Sequence, residues 1–193
     1  MNERTLSRRR VVSAAGGALM AASLVGTARA RQATPAASPQ AAVAGGTRTI
    51  TDVLGEDVEV PVDPQRVVVL DVNLLGLALA LGVKPIAASR YGTADAFPSI
   101  LGDDTDGIVA LGKNESLDVE TVVGLDPDLI VMTWYGDATT YDLVKHIAPT
   151  VRAGEFRDGW RDDSRIAADA LNRLDALATV SADYDARVDG IVA

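Results

Sequence analysis

From Thr49 onward, apolar and polar positions fall into short runs whose period changes repeatedly. Thr49–Val53 and Val58–Pro61 flank Gly55-Glu56-Asp57, and the second run alternates, which predicts a hairpin with one solvated face closed by Pro61 and Pro64. Val67-Val68-Val69-Leu70 is continuously apolar, as a strand covered on both sides is. Asn73 is the expected N-cap of a helix carrying Leu74, Leu75, Leu77, Ala78 and Leu81, stopped by Gly82 and Pro85. Ile86–Ala88 and Ile108–Leu111 read as further strands. Ser116 or Asp118 caps a helix that turns Val119, Val122 and Val123 inward, and Leu129–Met132 follows Pro127 as another buried strand. Thr139 or Thr140 opens a helix burying Leu143, Val144 and Ile147, and Pro149-Thr150-Val151 begins a last strand. From Arg161 the pattern is helical without a proline. One stripe runs through Ile166, Ala170, Leu171 and Leu174, a second through Leu177, Val180, Tyr184, Val188 and Ile191.

Strands separated by helices of roughly ten residues imply βαβ crossovers and a mainly parallel sheet. The expected fold class is α/β: a Rossmann-like lobe flanked by helices, preceded by a β-hairpin and followed by a long α-helix. Four segments result. Residues 1–30 are an address, 31–48 an Ala/Pro/Ser linker without apolar periodicity, 49–158 the lobe, and 159–193 helices.

Charge sharpens this division. The chain of 193 residues has a formal net charge of −9, yet residues 1–30 hold five arginines and one glutamate, leaving 13 basic and 26 acidic residues beyond them. A body that acidic repels nucleic acid and anionic lipid, and an anionic ligand needs a local basic pocket within it. Ser7-Arg8-Arg9-Arg10-Val11-Val12 resembles the twin-arginine export signal. The uncharged run Val11–Ala28 and the small residues Ala28 and Ala30 around Arg29 fit a cleaved leader. The expected location is outside the cytoplasm, in the periplasm or cell-envelope exterior, with no stable membrane insertion after cleavage. The absence of cysteine removes disulfides, zinc thiolates, a cysteine nucleophile and a lipid-anchor cysteine.

In an open α/β sheet the ligand crevice lies beyond the carboxyl ends of the strands. The segments expected there collect Arg90, Tyr91, Lys113, Asn114, Trp134, Tyr135, Arg157 and Trp160. Aromatic faces with nearby cations suit a large, flat, anionic metal chelate through stacking and charge-assisted hydrogen bonds. His146 is the only histidine, which argues against a bare zinc or manganese site built from several imidazoles. No Walker loop, three-glycine dinucleotide turn or Gly-x-Ser-x-Gly elbow occurs. Asp103-Asp104-Asp106 and Asp162-Asp163 lack EF-hand spacing and read as solvated surface.

The wording TDVLGEDVEVPVDPQRVVVLD, then ALGVKPIA, LGKNESLDVE, LDPDLIV and IAPTV, resembles the substrate-binding proteins of iron-siderophore and cobalamin ABC importers across Thr49 to Ala193. The resemblance implies an N-terminal lobe with the start of a rigid inter-lobe helix at Asp175–Ala193, the second lobe absent, and weak ligand binding by this chain alone. It implies capture of a ferric chelate, with no catalysis and no intrinsic cofactor, and delivery to an ABC permease and its ATPase. On sequence physics alone a solvated charge favoured by the helix dipole is the better reading of Glu120, and the resemblance of the LDVE turn reverses this, implying that Glu120 docks on the permease. Hydroxamate-binding relatives often carry an arginine where this chain has Lys113-Asn114, a point charge in place of a planar fork. A cobalamin or haem carrier on the same fold, a non-functional remnant and an exported chelatase-like enzyme are the alternatives.

Overall fold

The computed structural model describes residues 45–90, 96–113, 116–133, 138–154 and 159–192, all within the unit Ala37–Ala193. The expectations for Arg8, Arg9, Ala28, Ala30, Tyr91, Asn114, Trp134, Tyr135 and Arg157 lie outside the described residues.

The hairpin pairs β1 (Thr47–Thr51) with β2 (Asp57–Pro61) antiparallel, Ile50 opposite Val58. Its alternation buries Ile50 and Val60 and leaves Thr49 and Glu59 in solvent, as a hairpin lying on a core requires. Six further strands form one sheet: β3 (Val67–Leu70), β4 (Ala87–Arg90), β5 (Val109–Lys113), β6 (Ser116–Leu117), β7 (Leu129–Met132) and β8 (Thr150–Arg152). Their spatial order is β6-β5-β4-β3-β7-β8, and every neighbouring pair except β5–β6 is parallel. The chain runs from β3 outward through β4 and β5, then returns to β3's other side for β7 and β8. The reversal places a topological switch point between β3 and β7.

Helices α1 (Val72–Ala80), α2 (Val119–Gly124), α3 (Ala138–Val144), α4 (Trp160–Ala170) and α5 (Leu174–Val192) complete the lobe, with a short 3-10 segment at Ser99–Thr105. Side-chain alternation along the strands sorts the core into two layers. Val67, Val69, Leu129 and Val151 pack with α1, α4 and the hairpin, while Val68, Leu70, Ile130 and Met132 pack with Val122 of α2 and Val144 of α3.

Several expectations shift. Asp71, not Asn73, caps α1: its backbone is extended and its carboxylate accepts from the Asn73 and Leu74 amides. Val123 is 57% exposed, because α2 is short and only Val122 turns fully inward. Leu143 is also exposed, and α3 has begun before Thr139. Arg90 and Lys113 end strands rather than sitting in loops, and Trp160 opens α4. The helical tail is broken at Asn172, whose φ of 55° ends α4.

Candidate functional site

The five parallel strands send their carboxyl ends to one edge, and polar residues are buried there. Asp71 follows β3, Ser89 lies near the end of β4, Thr133 follows β7 and Arg152 ends β8. β3 and β7 are apolar throughout, so the polar residues that follow them, Asp71 and Thr133, flank the switch point at this edge. Asp71 and Ser89 fall in segments expected at this edge and Thr133 does not, and the adjacency of the three depends on strand order.

On one flank, Arg90 and Lys113 are register partners at the ends of β4 and β5. Neighbouring strands lie about 4.8 Å apart, so two basic residues occupy adjacent backbone positions. A bulge creates this match. Ala88 faces Ala110, but Arg90 faces Lys113, so Leu111 and Gly112 oppose Ser89 alone. Gly112 has φ 85°, and a Cβ there would lie 2.8 Å from the Ser116 carbonyl oxygen, so the bulge requires glycine. β5 then pairs antiparallel with β6, Gly112 opposite Leu117 and Lys113 opposite Ser116.

Asp118 caps α2, accepting from the Thr121 amide at 3.0 Å and its hydroxyl at 2.6 Å. The Thr121 hydroxyl, then the Thr121 amide, hold the Asp118 carboxyl below its ordinary pKa. Glu120 lies in the first turn and is exposed, with Val123 exposed one turn on.

The opposite flank is built differently. Arg152 is buried, and its guanidinium contacts Asp52 at 2.5 Å and Glu56 at 2.6 Å. It also stacks 4.1 Å from the centre of the Tyr141 ring. Burial works against its charge, but the Asp52 hydrogen bond and charge, with Tyr141 and Glu56, hold its pKa above the usual arginine value. Its charge is committed to the hairpin. On α4, Arg161 lies over Trp160 at 4.5 Å and pairs with Asp185 of α5, while Trp160 meets Tyr184 edge-on at 5.6 Å. Trp160 therefore staples α4 to α5. His146 is exposed in the turn after α3, and among the described residues no group of three or more His, Cys, Asp or Glu could hold a metal ion.

No helix among the described residues is long and apolar enough to cross a membrane. The chain is 34% identical over 145 residues to the probable siderophore-binding lipoprotein YfiY of Bacillus subtilis, covering 75% of this chain and 45% of that protein. It is 29% identical over 116 residues to the Fe(3+)-citrate-binding protein YfmC of the same organism, covering 58% and 36%. Among solved structures, Staphylococcus aureus SirA complexed with staphyloferrin B superposes with TM-score 0.66 at 27% identity, covering 74% of this chain and 48% of that one. A periplasmic solute binding protein from Mycobacterium smegmatis gives TM-score 0.62 at 30% identity, covering 74% and 52%. The chain thus spans about half the length, or less, of the relatives it matches. Residues 67–193 match the family described as periplasmic binding protein, which takes in the whole sheet, the switch point and the Arg90/Lys113 flank, and the chain belongs to that family.

Proposed function

We propose that this chain forms part of the substrate-binding component of an ABC importer for ferric siderophores, holding an anionic ferric chelate at the carboxyl edge of its sheet. The observation that carries the reading is the register pair Arg90/Lys113 beside the switch point, in a chain whose relatives include a probable siderophore-binding lipoprotein and an Fe(3+)-citrate-binding protein. Its role is capture and release, without catalysis, and Tyr91, Asn114, Trp134 and Tyr135 are assigned to the same ligand. Export follows from the Arg8-Arg9 leader, with cleavage after Ala30, and the partners are a permease and its ATPase.

Ferric citrate and the ferric complex of a tripodal tris-catecholamide, titrated up to millimolar and followed by tryptophan fluorescence, test the reading. Saturable quenching is expected, weakened about tenfold or more in Arg90→Ala through loss of a charge-assisted contact. A purified protein that carries a corrin or Soret absorption band and ignores both chelates contradicts it. Glu120 is assigned to permease docking because its carboxylate is exposed on a rigidly capped helix. Glu120→Ala is expected to leave chelate affinity unchanged and to depress permease-dependent uptake, and normal uptake removes the assignment.

A further inference from the structure

The tip of the β1–β2 hairpin is held far more firmly than an exposed turn needs to be. Asp52 Oδ1 accepts from the Leu54 amide at 2.9 Å and the Glu56 amide at 3.0 Å. The Asp52 amide donates to the Glu56 carbonyl at 2.9 Å, and Gly55, at φ 81°, donates back to the Asp52 carbonyl at 3.0 Å. The whole turn is then moored to Arg152 through Asp52 and Glu56, with the Tyr141 ring behind the guanidinium. At its other end the hairpin is tied by Arg48, which pairs with Asp169 at 2.8 Å and donates to the carbonyls closing α4.

This mooring fixes the position of the tip. The Val53 amide donates to the Arg152 carbonyl at 3.0 Å, while the next amide, Ala153, donates to Met132 of β7. Successive groups of a strand point to opposite sides, so Val53 sits on the free edge of β8 at its carboxyl end. The tip is therefore one more position along the crevice edge. Four inter-strand steps separate it from Arg90: β4 to β3, β7, β8 and the tip. At about 4.8 Å each, that is roughly 19 Å, centred close to the switch point.

What the tip presents is apolar. Val53 is 36% and Leu54 48% exposed, while the Asp52 and Glu56 carboxylates beside them are both turned to Arg152. An isolated exposed leucine carries no information. A buried ion pair that fixes two aliphatic side chains at the end of a ligand edge does.

We propose that Val53 and Leu54 form the apolar end wall of the crevice and contact the carbon scaffold of a chelate whose anionic groups lie against Arg90 and Lys113. Arg152 is the positioning residue that holds this wall. The inference rests on the function proposed above and adds a size rule: a chelate with a hydrocarbon scaffold reaches the wall, and a compact one does not.

The test titrates wild type, V53S/L54S and Arg90→Ala with the ferric tripodal tris-catecholamide and with ferric citrate. In the double serine variant, binding of the tripodal complex is expected to weaken about tenfold, the effect of losing aliphatic contact area, while ferric citrate binds as to wild type. V53I/L54I retains wild-type affinity for both, and both tip variants keep the wild-type Tm because the residues are exposed. If Arg90→Ala weakens both chelates while V53S/L54S weakens neither, the end wall is overturned and the ligand edge stands. If V53S/L54S lowers only permease-dependent uptake, the tip is a docking contact and the proposal fails. If wild type binds neither chelate, the underlying reading falls and takes the wall with it.

Discussion

Arg152 shows how one residue can anchor a structural relationship that no local pattern reveals. Its side chain is buried against a fully buried Asp52, and the pair is completed by Glu56 and the Tyr141 face. Removing the cation strands a buried carboxylate, so Arg152→Met is expected to cost about 3–5 kcal/mol, read as a Tm drop of roughly 10 °C or more. A loss within 1 kcal/mol would mean that Asp52 finds water or another partner. Nothing near Arg152 in the chain announces this, because its partners are 96 and 100 residues away. The α1 cap is a milder case. Asp71 and Asn73 are both capping residues, and the choice turns on where β3 stops. Asp71 is the first residue past the strand and keeps its extended backbone, at φ −169° and ψ 147°, so the helix starts without a loop. Arg90 and Lys113 were legible as basic residues near strand ends. Their side-by-side placement was not, since it comes from a bulge defined only by the partner strand.

At the scale of elements, strands and their order along the chain were the most readable feature. Val67–Leu70 and Leu129–Met132 are apolar without a break and form strands over those same residues. Helix ends divide instructively. After α1, Gly82 takes φ 74° while Gly82 and Val83 donate to the Leu79 and Ala78 carbonyls, a Schellman closure that the glycine foretold. After α4, Asn172 at φ 55° and Arg173 make the same bonds to Asp169 and Ala168, with no glycine to mark the stop. The periodicity therefore reads straight through a real break. Relief of the left-handed penalty makes Asn172→Gly stabilising by about 0.5–1 kcal/mol, whereas Asn172→Ala loses about 1 kcal/mol. Urea denaturation distinguishes the two, and equal midpoints would contradict the closure. The small β5–β6 hairpin escaped notice because two residues carry no periodicity.

For the whole molecule, the sequence fragments PQRV and LDPD become intelligible only in the fold. Asp128 accepts from the Gln65 and Arg66 amides at 2.7 and 2.9 Å, and the Arg66 side chain donates to the Leu125 and Asp126 carbonyls that end α2. These contacts lock the start of β3 to the start of β7, at the edge opposite the crevice. They set the two strands of the switch point in register, Val67 beside Leu129, and so align Asp71 with Thr133 at the far end. The molecule thus has a structural edge closed by its own hydrogen bonds and a second edge where buried polar residues, the Arg90/Lys113 pair and the hairpin tip are gathered. The α/β class followed from alternation and length; which residues meet at each edge needed strand order.

The central claim is that the carboxyl edge, and no other surface, receives the ferric chelate. Amide hydrogen exchange with and without the ferric tripodal tris-catecholamide tests it directly. Slowed exchange is predicted at Asp71–Leu74, at Arg90 and at Lys113, with Gln65–Arg66 and Asp126–Asp128 unchanged. Protection centred on that opposite edge, or spread evenly over the lobe, would contradict the account.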